Sequence, residues 1–306
     1  MYQSFSLLCR TVVAALAIGA TATSTSEAQG HSGKVGTIVL AHGGDSLWNA
    51  RVLQVASQAK TGGPVEVSFL MGPGATTARF QDAVARLESA GATRIVVVPM
   101  LVSSHSGHYD QIRYLAGDSV QLDEVMTHHL HMSGIERPKT RVPIVLTPAM
   151  DDAVEMSRVL IDRALTLAKD PQDRALLIVG HGPNEAEENA EWMINLRRVA
   201  DSVKAKTKFK DVRVELVRDD APAKVRAEAV LRVRELIDLQ RAVTGKEVIV
   251  VPVLVSAGTV SRDKLPADIK GTPSVYSGEP LLPHAAMSEW IARRVREAGS
   301  GQVSNW

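Results

Sequence analysis

Short apolar runs, each ended by small polar residues, recur along the chain. They fall at residues 34–41, 65–71, 93–102, 142–146, 174–179, 212–217, 247–255 and 274–276. Several are continuously apolar and rich in Val and Ile, which is typical of strands buried on both faces of a parallel sheet. Segments with apolar residues at helical spacing lie between them, at residues 47–60, 77–90, 151–168, 188–206, 221–243 and 281–298.

Strands that alternate with helices predict right-handed β-α-β crossovers and hence a parallel sheet. One stretch departs from the alternation. The third strand is followed by a predicted loop that carries His105 and His108, and a long excursion spans residues 107–140.

The order of elements occurs twice along the chain. A His-Gly pair ends the first strand at His42 and the fifth at His181. A strand with an internal proline recurs around Pro99 and Pro252, in the sequences Val-Val-Pro-Met-Leu-Val-Ser-Ser and Val-Val-Pro-Val-Leu-Val-Ser-Ala. Self-similarity of this kind predicts two copies of one structural unit.

We therefore predict an α/β fold of two similar doubly wound, flavodoxin-like halves with a cleft between them. The predicted halves span residues 29–150 and 151–306. Only the first copy of the proline-containing strand is followed by histidines. The first half is thus predicted to carry the active site, and the second half to be a degenerate repeat.

The composition is that of an ordinary soluble globular protein. Hydrophobic residues make up 45% of the 306 residues, charged residues 23%, and the net charge is +1. A charge so close to zero gives no indication of a nucleic-acid partner. Aromatic residues make up only 4%, so the core is predicted to consist mainly of Val, Leu, Ile and Ala.

Residues 1–28 have the pattern of a secretory signal peptide. Arg10 precedes an apolar stretch at residues 11–22, and small residues follow up to Ala28. We predict export to the periplasm and no stable membrane insertion, with an uncleaved anchor or a misassigned start codon as alternatives. The single cysteine, Cys9, lies in this segment. A metal site in the mature chain would therefore use His, carboxylates or carbonyls.

The histidines that follow strands are the candidate chemistry. Ligands of doubly wound sheets bind beyond the carboxyl ends of the strands, where the strand order reverses. In a 2-1-3-4 order that point lies between the first and third strands, which are followed by His42 and His105. Two imidazoles there would suit Co²⁺, Fe²⁺, Ni²⁺ or Zn²⁺, and they titrate near neutral pH. Alternatively, each histidine only hydrogen-bonds the backbone. His108 is either a third metal ligand or a surface residue.

Other histidines have less specific interpretations. The cluster of His128, His129 and His131 is read as a solvated loop or as an accessory metal-loading patch. His181 is read as a structural relic of the repeat or as part of the cleft wall.

Two tryptophans and an acidic run are assigned structural roles. Trp48 and Trp192 lie at apolar positions of helices and are predicted to belong to the core. The acidic run at the start of a helix is predicted to be solvated, where it complements the helix dipole; it comprises Glu185, Glu187, Glu188 and Glu191.

The chain shows no dinucleotide-binding glycine fingerprint, P-loop or nucleophile elbow, so no organic cofactor is predicted.

Taken together, the motifs resemble those of a known family. They are Ile-Val-Leu-Ala-His42-Gly, the third strand through His105, the degenerate copies at His181 and Pro252, and the segment Gly-Glu-Pro-Leu-Leu-Pro-His284. Their order and duplication resemble the class II tetrapyrrole metal chelatases, which include sirohydrochlorin cobaltochelatases and ferrochelatases of the CbiX/SirB kind, in a two-repeat form. The resemblance covers residues 35–297.

The resemblance implies insertion of Co²⁺ or Fe²⁺ into a sirohydrochlorin-type tetrapyrrole held in the cleft, with two N–H protons leaving. It implies that His42 and His105 hold the metal and assist proton removal, with His108 as a rival or additional ligand. The expected partners are the tetrapyrrole and the divalent ion. The question of a homo-oligomer is left open. A second hypothesis is an exported protein that binds metal or tetrapyrrole without turnover. A third, a hydrolase with His42 as base, lacks an evident nucleophile.

Overall fold

The computed structural model describes residues 33–300, so the predicted signal peptide lies outside the described residues. Two four-stranded sheets, both fully parallel, form the framework. The strands are β1 Val35–Ala41, β2 Val65–Phe69, β3 Arg94–Met100, β4 Ile144–Leu146, β5 Ala175–Gly180, β6 Asp211–Leu216, β7 Val248–Pro252 and β8 Ser274–Tyr276.

The helices cover both faces of the sheets. They are α1 Ser46–Gln58, α2 Phe80–Ser89, α3 Gly107–Ala116, α4 Glu124–Met132, α5 Val154–Leu167, α6 Ala186–Lys206, α7 Ala223–Thr244, α8 Leu265–Asp268 and α9 Ala285–Gly299. A 3-10 turn at Pro171–Asp173 and a π-helical turn at Val260–Lys264 complete the elements.

The strand orders are β2-β1-β3-β4 and β6-β5-β7-β8. The predicted α/β fold with two similar parallel halves is thus confirmed, and so is the order that places a switch point between β1 and β3. In register, Ala41 at the end of β1 pairs with Met100 at the end of β3. The segments that follow these two strands therefore begin at the same edge of the sheet.

Alternation along the strands explains how the second sheet is buried on both faces. Leu176 and Ile178 of β5 join a large core shared with the first half. Leu177 and Val179 point the other way, into a smaller core beneath α7. Because successive strand residues face opposite sides, a continuously apolar strand needs a cover on each face, and the helices supply it.

The two halves exchange their last helices. Helix α5 packs on β7 of the second sheet, and α9 packs on β3 of the first. Two polar contacts hold this exchange together: the Ser288 hydroxyl donates to the buried carbonyl of Val55 at 2.9 Å, and the half-buried Arg293 binds both carboxylate oxygens of Glu155. The described residues cluster as one compact unit. The boundary at residue 150 stays a prediction, because the helix that follows it packs on the other sheet.

The excursion after β3 is partly helical: His105 lies in a loop, as predicted, whereas His108 lies in helix α3. Ser106 caps α3 by accepting from the Tyr109 N–H, and the left-handed Gly117 ends that helix. Asp123 caps α4 by accepting from the Met126 N–H at 2.7 Å. Within residues 33–300, no helix is both long and apolar enough to span a bilayer.

Candidate functional site

A cleft of about 510 Å³ lies between the two sheets, beyond the carboxyl ends of their strands. His42 follows β1, Leu101 follows β3, His181 follows β5 and Leu254 of the same lining follows β7. The side chains of both halves therefore meet at the position where doubly wound sheets bind ligands.

Local backbone geometry determines how His42 enters this cleft. Gly43 has a φ of +95°, and a Cβ there would stand 2.2 Å from the carbonyl oxygen of Met71, so only glycine fits. The resulting turn brings the Gly43 carbonyl to 2.8 Å from His42 Nδ1. A carbonyl can only accept a hydrogen bond, so Nδ1 carries the proton and Nε2 keeps its lone pair.

His108 lies in the first turn of α3 and faces His42, with 4.5 Å between the ring centroids. Its Nδ1 is 2.8 Å from Oε1 of Gln111, a fully buried side chain whose amide nitrogen donates to the Met126 carbonyl at 2.7 Å. The Met126 contact requires the nitrogen end of the amide, which orients Oε1 towards His108 as an acceptor. Nδ1 of His108 is thus protonated too, and its Nε2 is free to bind a metal ion.

Burial keeps both rings neutral. Desolvation, aided by neighbouring histidines, lowers the pKa of His108 from 6.5 to about 4. Desolvation is also the largest cause of the lowered pKa of His42; the neighbouring rings of His181 and His129 lower it further, while the Gly43 carbonyl and Asp220 oppose the shift. Neutral imidazole is the form that binds metal ions, so neither ring must lose a proton at neutral pH.

The second half repeats the first arrangement at His181. Its Nδ1 lies 2.9 Å from the Gly182 carbonyl, and Gly182 also has a positive φ, of +72°. The ring packs edge-on against Trp192 with centroids 5.2 Å apart. His181 lines the cleft, so of the two sequence interpretations, the structure agrees with the cleft wall.

His129 is the third imidazole on the first half's side. It lies on α4, half-buried, and its ring stacks near His108 with 6.3 Å between centroids. Its Nδ1 is buried and has no hydrogen-bond partner among the described residues. The neighbouring His128 and His131 are exposed. The cluster is therefore helical, and one member reaches the site.

His105 does not face His42 as the sequence predicts. The chain turns into α3 between His105 and His108, so the two side chains line different cavities. His105 is exposed and borders a second cavity of about 760 Å³. There its Nε2 lies 3.9 Å from Glu191, while its backbone carbonyl accepts from the Trp192 indole at 2.6 Å. The expected pairing of His42 with His105 is replaced by a pairing with His108.

Carboxylates make the histidine cleft acidic. Its lining includes Asp123, Glu185, Glu188, Asp219 and Asp220, and within the described part of the chain it includes no Lys or Arg. Of these five, Asp219 alone forms ion pairs with basic residues between residues 33 and 300, namely Arg226 and Lys264. An acidic, histidine-lined cleft raises the local concentration of cations.

Glu188 departs from the solvated position predicted for the acidic run. Burial is the largest cause of its raised pKa, followed by the charges of Glu185 and Asp110, and the backbone N–H of Gly107 partly offsets the shift. A carboxyl group with a raised pKa inside a cleft is suited to proton transfer.

The tryptophans also border the cleft. Trp192 is buried, as predicted, but it lines the cavity together with the half-buried Trp48. Within residues 33–300, no group of three or more His, Asp, Glu or Cys side chains is arranged to hold a metal ion.

Sequence comparison places this architecture in a family. The profile of the CbiX family matches residues 36–167 and again residues 175–298. The chain belongs to the CbiX family. The two matches correspond to the two sheets, and they confirm the two-repeat, chelatase-like interpretation and the prediction of a tetrapyrrole metal chelatase at the level of the family. No curated protein matches this sequence.

Solved structures similar to this CbiX-family chain include two of SirB. SirB from Bacillus subtilis with Fe³⁺ is 16% identical, with a TM-score of 0.59 over 89% of this chain and 99% of SirB. The sirohydrochlorin chelatase SirB from Bacillus subtilis subspecies spizizenii in complex with cobalt is 15% identical, with a TM-score of 0.57 over 88% and 98%. DR2241 from Deinococcus radiodurans, a multi-domain protein with structural similarity to chelatases, is 18% identical, with a TM-score of 0.52 over 86% of this chain and 55% of DR2241. At these identities the likeness concerns the fold.

Sequence reasoning missed or undervalued Glu188, which lines the cleft, and Gln111 and His129, which contact His108. A signal existed for the last two, since Ser106 and Gly117 mark the ends of a helix and Asp123 marks the start of another. Recognising these helices would have placed Gln111 one turn after His108. No sequence signal distinguishes Glu188 from its acidic neighbours.

Proposed function

We propose that the protein inserts a divalent metal ion, Co²⁺ or Fe²⁺, into a sirohydrochlorin-type tetrapyrrole. The observation that carries this proposal is the pair of neutral imidazoles, His42 and His108, in the cleft of a CbiX-family fold. Both present Nε2 as the free nitrogen. The metal ion is a substrate here and must be released to the ring.

The spacing of the pair fits a shared ion. Two imidazoles bound through Nε2 at about 2.1 Å, at an angle of roughly 90–110°, place their ring centres roughly 4.5–5.3 Å apart. The observed separation of His42 and His108 is 4.5 Å. Two neutral ligands bind an ion weakly enough for four ring nitrogens to take it.

Glu188 is our candidate for the acceptor of the ring protons, which it would take one at a time and pass on to solvent. Insertion of M²⁺ releases two protons from the ring nitrogens, one for each N–H bond that is replaced by a bond to the metal. His108, with a pKa of about 4, holds a proton poorly at neutral pH. Glu188 lines the same cleft, and burial raises its pKa, which makes it the better acceptor of the two.

The test is an insertion assay with sirohydrochlorin and Co²⁺ or Fe²⁺, followed by absorbance. We expect His42→Ala and His108→Ala each to abolish turnover, while the matched variant His105→Ala, three residues from His108, keeps most of it. Full activity of the His42 and His108 variants would refute the site. Loss of activity in His105→Ala alone would restore the arrangement that the sequence predicts.

The acidity of the cleft favours a second candidate, a protein that binds divalent cations without turnover. Unneutralised carboxylates line the cleft and would attract a cation, but they would repel a ring that carries carboxylates of its own. This candidate predicts stoichiometric Co²⁺ binding by calorimetry and no acceleration of insertion. Turnover above the spontaneous rate would exclude it.

We also propose that the chain is exported to the periplasm, on the pattern of residues 1–28 alone. Cell fractionation with amino-terminal sequencing of the purified protein tests this. A start near Gln29 in the periplasmic fraction is expected, and an intact start in the cytoplasm would refute it.

A further inference from the structure

Three imidazoles form a row, of which the last two, His108 and His42, line the cleft. His129 on α4 is followed by His108 at 6.3 Å and then by His42 at 4.5 Å, measured between ring centroids. Beyond His129, the same helix carries the exposed His128 and His131. Two exposed histidines and the half-buried His129 therefore lie on the helix next to the two histidines of the cleft.

His129 stands in an unusual environment for a histidine. Its Nδ1 is buried without a hydrogen-bond partner among residues 33–300, although buried polar atoms in folded proteins usually have one. Because this Nδ1 is shielded from solvent, an arriving cation would bind the ring through Nε2. The three residues that contact the cleft from the start of α4 are Asp123, Val125 and Met126, so this helix forms part of the cleft's rim.

Geometry argues that His129 does not share an ion with the deeper pair. Its ring is nearly parallel to that of His108, at 24°, and the 6.3 Å separation exceeds the roughly 4.5–5.3 Å expected for neighbouring ligands of one ion. His42 and His108 meet that distance, and His129 does not. His129 would therefore bind an ion at a position of its own.

Helix α4, which carries His129, is also the element best suited to receive an ion from solvent. Leu130 is its only buried residue, and its main packing partner is α3. Its position in the second half is taken by the π-helical turn and α8, which carry no histidine. The row of imidazoles thus belongs to the first half alone.

We propose that His129 is an entry ligand for divalent cations, which binds the ion at the rim and passes it to His42 and His108. This inference rests on the metal-binding part of the proposed function but not on the tetrapyrrole. Asp123, beside Met126 at the start of the same helix, adds a negative charge to the rim.

The experiment uses Co²⁺ alone, mixed rapidly with the full chain, and follows the absorbance of the bound ion. In His129→Ala we expect the association and dissociation rates each to fall about tenfold, because local capture at the rim is lost. The equilibrium dissociation constant should change little, since an entry ligand speeds arrival and departure alike. His129→Asp, which restores a ligand at the rim, should recover most of the rate.

His131→Ala is the matched control, because it removes an exposed histidine two residues along the same helix, and it should bind Co²⁺ at the original rate. An unchanged association rate in His129→Ala would overturn the proposal. So would a loss of affinity as large as that of His108→Ala, which would make His129 a permanent ligand, or an equal slowing in His131→Ala. If Co²⁺ uptake behaves as expected but no ring is metallated, the insertion function fails and the entry role stands.

Discussion

Acidification should destabilise the folded protein through His108. Burial lowers the pKa of this histidine from 6.5 to about 4, with help from the neighbouring His42. Each pKa unit corresponds to about 1.4 kcal/mol, so the shift corresponds to about 3 kcal/mol of unfolding free energy. That amount is a substantial part of the roughly 5–15 kcal/mol by which domains are stable.

The sign follows from proton binding. Between pH 6.5 and about 4 the unfolded chain carries a proton on His108 and the folded chain does not. The unfolded state therefore binds more protons in this window, and the unfolding free energy falls as the pH is lowered through it. The contribution of His108 to the unfolding free energy is constant above pH 6.5 and below about pH 4. His42, whose pKa is lowered for the same reason, adds a loss of the same sign.

Urea unfolding at intervals from pH 7 to pH 4 measures this loss. We compare the original chain with His108→Gln and with His131→Gln, an exposed control on α4. His108→Gln should lose about 3 kcal/mol less between pH 7 and pH 4 than the original chain, whatever its stability at pH 7. Parallel pH profiles for His108→Gln and the original chain would refute the reasoning, as would a flattened profile for the control.

Three further substitutions have expected outcomes. Gln111→Met removes the acceptor that keeps Nδ1 of His108 protonated, and calorimetry should show Co²⁺ affinity about tenfold weaker. Arg293→Ala leaves the buried Glu155 carboxylate unpaired, and urea unfolding should show a loss of about 3 kcal/mol. Gly43→Ala forces a Cβ to 2.2 Å from a carbonyl oxygen, and it should destabilise the fold by about 2 kcal/mol or more while weakening Co²⁺ binding.

Controls separate the causes. Arg158→Ala breaks an exposed ion pair with Glu289 and should have an effect below about 1 kcal/mol; an equal loss in both arginine variants would contradict the role of burial. Gly62→Ala also has a positive φ but open space around its Cβ, so it should show only the backbone strain, about 1 kcal/mol. Unchanged Co²⁺ affinity in Gln111→Met would contradict the orientation assigned to His108.

Local pattern was sufficient for the framework of the fold. The continuously apolar strands, the helical spacing between them and the recurrence of the His-Gly pair predicted two parallel halves and their strand order. These properties depend on residues close together in the chain, since burial on both faces and helical periodicity are each visible within one element. The same reasoning placed His42 at the switch point, because a residue that directly follows a strand must lie at the carboxyl end of that strand.

The identity of the second histidine was decided by tertiary structure. His105 and His108 are three residues apart, and which of them faces His42 depends on where α3 begins and on its packing, with Gln111 buried beneath it. Sequence spacing from the strand favoured His105, whereas in the structure His108 lies against His42. His129 reaches the site only because α4 packs against α3.

The exchange of the last helices was likewise outside the reach of the sequence pattern. An amphipathic helix such as α5 or α9 has one apolar face, and its periodicity does not state which sheet will cover that face. In the folded chain each packs on the other half's sheet, which joins both halves into one unit. The sequence by itself thus determined the elements and their order, whereas the convergence of side chains from distant elements was determined by packing.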